Sequence, residues 1–203
     1  MRTHKKNLTI IALLFGSFVC IKAQSVIAQW PLGNTPGQQQ ISDTQGKFNL
    51  TQSVSFSNGC YSGWAQQYWK TFDEWNFPWS LEGVFKTNGE ANSVMVLAGT
   101  RSKRSAYSGW DVTMLRNGVM RFFVSDSYGK SKQLLSATRE FDDGQEHRFK
   151  VSWNPQGNQM ELIIDKYRYT TTYDNEMDQQ SGRIFHIGAQ PLLDNAKTVP
   201  FKG

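Results

Sequence analysis

The chain has 203 residues, of which 38% are hydrophobic and 19% charged, with a formal net charge of +5. This length suffices for one domain with a sizeable core. Most of the surplus charge lies at the N-terminus, because residues 1–23 hold four basic residues and no acidic ones. Without that segment the net charge falls to +1, which gives no support for a nucleic-acid or membrane partner.

The first predicted element is a signal peptide at residues 1–23. Basic residues precede an apolar stretch at 8–21, and the small residue Ala23 follows it, as in a secretory leader. The apolar stretch is too short for a membrane span. We therefore expect cleavage after Ala23 and a secreted, periplasmic or cell-surface protein. A lipoprotein acylated at Cys20 is the less favoured alternative, because Val19 fits poorly before such a site.

Residues 24–203 show short alternating runs separated by turn residues and almost no helical periodicity. This pattern predicts an all-β sandwich or barrel. The runs 120–124, 148–153 and 160–164 each place alternate apolar residues on one face. Asn117 and Gly118 predict a hairpin turn, because both residues tolerate a positive φ. Only Cys60 remains after cleavage, so an intramolecular disulfide or a metal–thiolate site is excluded.

Several segments, in this order, resemble a known superfamily: "IAQWPL" with "ISDTQGKFNL", "PWSLEGVFKTN", "GWDVTMLRNGVMRFFVSD", "FDDGQEHRFKVSWNPQGNQMELIIDK" and "RIFHIGA". The superfamily is that of laminin-G-like, concanavalin-A-like lectin/glucanase modules, and the resemblance runs from residue 28 to 203. It implies a two-sheet antiparallel jelly-roll sandwich over residues 24–203. Glu146 and Lys166 depart from the pattern, which usually has Trp and Gly there.

The resemblance also implies a longer parent protein. In the family, a phrase like "VPFKG" introduces the last strand, so we expect that the sandwich lacks its C-terminal strand at Gly203. Such modules often precede the catalytic domains of secreted glycosidases, sialidases and sulfatases. An N-terminal fragment of such an enzyme is therefore one interpretation of the chain.

The residues do not favour catalysis by this chain. Glucanases on this fold carry E-x-D-x-E on one strand, whereas here we expect Glu161 and Asp165 to share a strand face with Ile163, which is not an acid, between them. Positions i and i+4 of a strand lie roughly 13 Å apart, but a hydrolase needs its carboxylates about 5–10 Å apart. The histidine in "DDGQEHRFKVSW", His147, falls in a loop and strand of the resembling pattern, so we expect a structural role. No hydrolase elbow, zinc motif or phosphate loop occurs.

The candidate binding residues lie in two segments. Aromatic rings stack on sugars, and the aromatic-rich segment 60–79 therefore predicts a sugar platform. The predicted members are Trp64, Tyr68, Trp69 and Trp75, with Gln67 and Asp73 as hydrogen-bond partners. The alternative is that most of these rings pack in the core. In the polar loop 100–111, Arg101 and Tyr107 could hold an acidic sugar or sulfate, the alternative being a solvated loop.

Two further patterns bear on binding. Tyr167, Tyr169, Thr171 and Tyr173 share one face of a strand, which favours packing against the core over an exposed ridge. The resemblance makes calcium possible, and Asp126, Asp142 and the acidic run 174–178 carry carboxylates. None has the ligand spacing of a recognisable site, so no metal residue or cofactor is assigned.

These observations predict a non-catalytic carbohydrate-binding accessory module whose partner is a glycan or polysaccharide, with an adjoining catalytic domain as a second partner. The leading alternative is a protein–protein adhesion or docking module. A third is a module that only packs against a neighbouring enzyme domain. Because one sandwich hosts many activities, the resemblance alone does not choose among them.

Overall fold

The structure, a computed structural model, describes residues 40–41, 50–52, 65–69, 78–87, 94–101, 108–126, 128–137, 140–173 and 183–188. Within these ranges the chain forms twelve β-strands, and the first six are β1 (Gln40–Ile41), β2 (Leu50–Gln52), β3 (Ala65–Trp69), β4 (Trp79–Lys86), β5 (Met95–Gly99) and β6 (Gly109–Met114). The others are β7 (Met120–Ser125), β8 (Ser131–Leu135), β9 (Glu146–Asn154), β10 (Gln159–Ile164), β11 (Tyr167–Thr172) and β12 (Arg183–Ile187).

The strands form two antiparallel sheets. The large sheet has the order β1-β2-β3-β12-β5-β6-β7-β8, and the small sheet has the order β11-β10-β9-β4. The predicted all-β, two-sheet sandwich is therefore confirmed. The described residues hold no α-helix, only a 3₁₀ turn at Pro155–Gly157, and none of their segments could cross a membrane as a helix.

The core lies between the two sheets and is built by strand alternation. Alternate residues of β9 and β10 are buried: Phe149, Val151, Trp153, Met160, Leu162 and Ile164. Burying each apolar side chain of this size contributes about 1.5–3 kcal/mol. The period-2 pattern in the sequence predicted these faces correctly.

Aromatic rings join the two sheets at the centre of the core. Trp79 of β4 lies 4.6 Å from the ring of Trp110 in β6 and 6.1 Å from Phe122 in β7, the latter edge-on. Tilted and edge-to-face pairs of this kind add about 0.5–1.5 kcal/mol to their area burial. These contacts place Trp110 on the inner face of β6. The residues that alternate with Trp110 along the strand therefore lie on its outer face.

The tyrosines of β11 pack as the sequence favoured. Tyr167 and Tyr169 are half-buried and pack against the core, and Tyr173, just beyond the strand, is buried. The expectation of core packing is confirmed.

The β6–β7 hairpin is confirmed, but its turn differs from the one expected. Leu115 donates to the Val119 carbonyl at 2.8 Å and Gly118 donates to the Leu115 carbonyl at 3.0 Å, which leaves a three-residue loop. Only Gly118, with φ +71°, has a positive φ in that loop, so Asn117 does not use its tolerance. This is the pattern of a type I turn followed by a left-handed glycine.

Candidate functional site

The outer face of the large sheet is defined by β6. Trp110, Val112 and Met114 are core residues, so Asp111 and Thr113 between them lie on the opposite face. Both polar residues are nevertheless buried, and Asp111 is only 2% exposed. A carboxyl group removed from water in this way requires charged or hydrogen-bonded partners.

The partners are two arginines, and we call Arg101, Asp111 and Arg121 the Asp111 cluster. Arg101 Nη1 lies 3.1 Å from Asp111 Oδ2, and Arg121 Nη2 lies 3.4 Å from Asp111 Oδ1. Arg121 Nε also donates to Thr113 Oγ1 at 3.0 Å. Both guanidiniums lie over the Phe123 ring, at 4.5 Å and 5.0 Å from its centroid. The cluster therefore has a buried acid and two cations held on one ring.

Burial and the two arginines have opposing effects on the pKa of Asp111. Removal from water raises the pKa of Asp111, while the Arg121 and Arg101 guanidiniums oppose that rise. The two arginines stay charged throughout the physiological range. With Asp111 either ionised or neutral, the cluster carries more positive than negative charge.

The backbone brings Arg101 to Asp111 through a close approach of β5 and β6. The amides of Thr100 and Arg101 both donate to the Trp110 carbonyl, at 2.8 Å and 3.1 Å. A Cβ atom on Gly99 would collide with that carbonyl oxygen and lie 2.9 Å from the Cα of Asp111. Only glycine therefore allows this approach, which sets the position of the arginine that follows β5.

A single row of paired residues runs across the large sheet through Asp111. Its members are Thr51, Gln66, His186, Gly99, Asp111, Phe123 and Gln133. In an antiparallel sheet, directly paired positions belong to the same face. The row connects the Asp111 cluster to β3, the strand that lies within the aromatic-rich segment.

A second set of charges lies at one end of the sandwich, and we call Asp143, His147 and Asp165 the His147 cluster. His147 Nδ1 is 2.8 Å from Asp165 Oδ2, and His147 Nε2 is 3.0 Å from Asp143 Oδ1. The rings of Phe85 and Phe141 lie against the imidazole, with centroids at 5.5 Å and 5.2 Å. The cluster joins the loop before β9 to the turn between β10 and β11.

Hydrogen bonding to two carboxylates favours the doubly protonated imidazole. Desolvation lowers the pKa of His147, but the bonds to Asp165 and Asp143 outweigh it, so the net pKa is raised. The amide of Gln145 and then His147 lower the pKa of Asp143. Burial acts against a low pKa at Asp165, but bonds from the Arg148 amide and His147 lower it overall.

The suggested carboxylate pair does not lie on one strand. Strand β10 ends at Ile164, so Asp165 lies in the following turn, with φ +53°, and the expectation that it shares a strand face with Glu161 is wrong. Asp165 is bonded to His147 and to the Arg148 amide, while Glu161 forms an ion pair with Arg168 at 3.1 Å. The two acids have separate structural partners.

The comparisons with known proteins agree with this architecture. A model of the laminin G domain family matches residues 85–203. The chain belongs to that family. The search of curated proteins found no match to this laminin G domain.

Solved structures share the fold at low sequence identity. The LG4-5 domains of the mouse laminin alpha1 chain align with a TM-score of 0.50 and 14% identity, covering 81% of this chain and 47% of that one. The CBM40 of Ruminococcus gnavus IT-sialidase aligns at 0.50 and 12%, covering 64% and 73%. The receptor-binding domain of botulinum neurotoxin mosaic serotype C/D aligns at 0.57 and 16%, covering 80% and 43%. The laminin G domain thus spans about half of the laminin fragment.

The described residues of this laminin G domain do not fit a calcium site. Calcium takes six to eight oxygen ligands. Asp126, which follows β7, has one buried carboxylate oxygen without a hydrogen-bond partner, but its other oxygen accepts the amides of Tyr128 and Lys130 at 3.0 Å and 2.8 Å. Within the described ranges no three His, Cys, Asp or Glu residues are grouped to hold a metal. Residues 174–178 lie outside those ranges.

Most of the predicted binding residues are not described in full. Trp64, Asp73, Trp75 and Tyr107 lie outside the described residues, and these assignments stay predictions. For Gln67, Tyr68 and Trp69 the backbone of β3 is described, paired with Phe185, Ile184 and Arg183 respectively.

Among the predicted binding residues, Arg101 alone has a described side chain, and it lies in the Asp111 cluster. Sequence reasoning missed its partners Asp111 and Arg121. The alternation in "GWDVTM" does place Asp111 opposite the core residues. The available signal was that Arg101 and Arg121 lie on either side of Asp111 in the sequence, in segments that could be neighbours of its strand.

Proposed function

We propose that this laminin G domain is a non-catalytic glycan-binding module whose binding surface is the outer face of the large sheet. The observation that carries the proposal is the Asp111 cluster, in which two partly exposed guanidiniums are fixed on the Phe123 ring. Glycan sites combine a few rigidly placed polar groups with an aromatic surface. The outer face of β6 and β7 offers both.

The aromatic-rich segment extends this proposed surface. Strand β3 belongs to the same sheet as β6, and its Gln66 is paired with His186 of β12. Gln67 is paired with the core residue Phe185, and Trp69 has the same parity on β3, so these two predicted residues are left out of the site. We include the other predicted residues of this segment: Trp64, Tyr68, Asp73 and Trp75. Tyr107, which lies between Arg101 and β6 in the sequence, completes the proposed set.

A non-catalytic role is supported by the partners of the acids. Glycoside hydrolysis requires two carboxyl groups facing one cleft. Glu161 binds Arg168, Asp165 binds His147, and Asp111 is enclosed by two arginines. These described acids hold the structure together and are not arranged as an acid and a nucleophile.

The fold is compatible with this function, since the CBM40 of a sialidase has the same sandwich. That likeness concerns the fold alone, because one fold serves many functions. We further propose that the protein is exported and that the module acts beside a catalytic domain. Such a module raises the local concentration of its enzyme on the polysaccharide.

A glycan array probed with the purified chain tests the proposal. We expect binding that is weakened at least about tenfold by Phe123→Leu, because the ring that supports both guanidiniums is lost. Tyr128→Leu is the matched control, since Tyr128 is 79% exposed between β7 and β8 and is not a member of the Asp111 cluster. A folded chain that binds no glycan would contradict the proposal and favour a protein-docking module.

A further inference from the structure

We propose that the His147 cluster is a pH-operated clasp: it holds the loop 143–145 against the end of the sandwich while the imidazole is protonated, and it releases that loop when the imidazole is neutral. This device is independent of any ligand on the outer face of the large sheet. It consists of an anchor on each side of the loop and one side chain, Asp143, that only a protonated ring can hold. This end of the sandwich therefore opens locally as the surrounding pH rises.

The chain is anchored on both sides of the loop. Before it, the buried Phe141 donates its amide to the Gly118 carbonyl in the β6–β7 turn at 2.9 Å, which ties the chain to the large sheet. After it, β9 begins at Glu146 and is paired with β4 in the small sheet. The loop therefore crosses from one sheet to the other, and its opening is confined between these two anchors.

The loop itself relies on Asp143 for its attachment. The Gly144 amide lies 3.4 Å from Thr87 Oγ1, whereas Asp143 Oδ1 lies 3.0 Å from His147 Nε2. Asp143 Oδ1 also accepts the Gln145 amide at 2.8 Å, but that bond lies within the loop and ties it to no other element. Hydrogen bonds between charged groups are about twice as strong as neutral ones. The contact with His147 is therefore the strongest described bond between the loop and the rest of the fold.

The imidazole faces two acids and two aromatic rings. Asp165 in the β10–β11 turn and Asp143 in the loop are the charged groups that face it, at 2.8 Å and 3.0 Å. Strand β4 and the segment before β9 present the uncharged rings of Phe85 and Phe141. In the described ranges no further side chain forms an ion pair with His147. The protonation state of this one ring therefore decides how the two carboxylates are held.

Only the protonated ring can donate to both acids. An imidazolium has two N–H donors, whereas the neutral ring has one donor and one lone pair. Asp165 is the more firmly held acid, because it also accepts the Arg148 amide at 2.9 Å and is 38% exposed, against 54% for Asp143. The neutral ring therefore keeps its proton on Nδ1, toward Asp165. Its Nε2 lone pair then faces the Asp143 carboxylate, and because two acceptors repel each other, the loop is released.

The pH at which the clasp opens follows from the same bonds. Desolvation lowers the pKa of His147, but the bonds to Asp165 and Asp143 raise it more, to above its ordinary value of 6.5. The Gln145 amide and then His147 lower the pKa of Asp143, so its carboxylate stays charged while His147 titrates. The closed loop is thus fully present below 6.5 and is lost as pH rises through the raised pKa of His147.

Amide hydrogen exchange of the purified chain measures the opening. Exchange of the Gly144 and Gln145 amides is followed at about pH 6 and about pH 9 and expressed as a protection factor, which removes the direct effect of pH on exchange. We expect the protection of both amides to fall at least about tenfold at the higher pH, because one charge-assisted hydrogen bond is lost. The amides of Phe141, at the anchor, and Leu162, in the core, should keep their protection. An NMR titration of the His147 ring should show the loss of its proton over the same interval.

Variants then assign the opening to the contact between Asp143 and His147. In Asp143→Asn the side-chain amide can donate to the neutral ring or accept from the protonated one, so we expect similar protection of the loop at both pH values. In His147→Gln no group titrates between the two acids, and the protection should again be independent of pH. Glu146→Gln is the matched control, since Glu146 is exposed beside His147 on the alternate face of β9, and it should retain the full fall.

The outcomes are distinct. A fall confined to the loop amides, absent in both cluster variants and retained in Glu146→Gln, would establish the clasp. Equal protection at both pH values in the unsubstituted chain, or a His147 ring that does not titrate, would overturn it. A fall that persists in Asp143→Asn or that extends to the Leu162 amide would also overturn it, because the opening would then not depend on this contact or would not be local. If His147→Gln does not fold, Asp143→Asn serves as the test, since that side chain is 54% exposed.

Discussion

The Asp111 cluster and the His147 cluster have opposite arrangements of acidic and basic side chains. In the first, a buried acid lies between two cations, and in the second, a nearly buried histidine lies between two acids. The flanking groups differ in exposure: the two arginine side chains are 21% and 19% exposed, whereas Asp143 and Asp165 are 54% and 38% exposed. The Asp111 cluster is thus the more deeply enclosed of the two.

The two clusters differ in whether their positive charge changes with pH. A guanidinium keeps its charge throughout the physiological pH range, so the positive charges of the Asp111 cluster do not depend on pH there. The pKa of His147 is raised above its ordinary value by the bonds to Asp165 and Asp143, so its cluster responds to pH. The Asp111 cluster therefore joins β6 to β7 and to the residue after β5 through charges that persist, whereas the His147 cluster fastens a loop to a turn through a charge that depends on pH.

The largest expected effect comes from removing the centre of the Asp111 cluster. Asp111→Ala leaves two partly buried guanidiniums without their counter-ion, and breaking a buried pair in this way costs about 3–5 kcal/mol. We expect that loss in the free energy of unfolding, measured with denaturant. Glu161→Ala removes the acid that is paired with Arg168, whose side chain is 67% exposed and stays in contact with water, so it should cost less than about 1 kcal/mol. Similar losses of unfolding free energy in both variants would contradict the conclusion that Asp111 lies in a more deeply buried charge cluster than Glu161.

A smaller effect is expected from separating β5 from β6. Gly99→Ala places a methyl group against the Trp110 carbonyl, so the strands must move apart and Arg101 must shift from Asp111. Overpacking of this kind costs about 1–3 kcal/mol, measured by denaturant unfolding. Gly157→Ala is the control, because its nearest neighbour would be Asn154 Nδ2 at 3.4 Å. An unchanged stability in Gly99→Ala would show that the close approach is not required.

The smallest effect is the pH response of the His147 cluster. The raised pKa of His147 gives stability that is fully present below its ordinary value of 6.5 and is lost as pH rises through the raised pKa. The lowered pKa values of Asp143 and Asp165 give stability that is present above 3.8 and is lost as pH falls through those values. The contribution of the cluster is therefore largest between these limits.

His147→Gln tests this response. The difference in unfolding free energy between the unsubstituted protein and this variant should be larger at about pH 6 than at about pH 9, because only the protonated imidazole donates to both acids. A His147 difference independent of pH would mean that the imidazole does not titrate in the folded protein.

The sequence predicted the parts of the fold that depend on local alternation. The buried faces of β9 and β10, the packing of Tyr167 and Tyr169 and the hairpin at Gly118 all follow from period-2 patterns and turn residues. Alternation assigns a residue to a face, but it does not say whether that face is open to water. It therefore placed Asp111 opposite the core without indicating its burial.

The candidate site was harder to predict because its parts come from separate elements. Arg101 lies just after β5 and Arg121 lies within β7, and they meet only because β6 is paired with both strands. Strand order is a property of the whole sheet and is not carried by any one segment. The same reason explains Asp165: a non-glycine residue with a positive φ is held there by His147 and the Arg148 amide, from another strand.

The position of β12 also sets the order in which the large sheet can assemble. Strands β5 to β8 are successive hairpins that can form locally, as can β9 to β11, whereas β12 lies between β3 and β5, which are far earlier in the chain. Closing such long loops is slow, because their entropy must be lost before the contacts are gained. We expect β12 to dock last. Until it does, the edge of β5 stays open to pairing with another chain, so misassembly competes with folding at this strand.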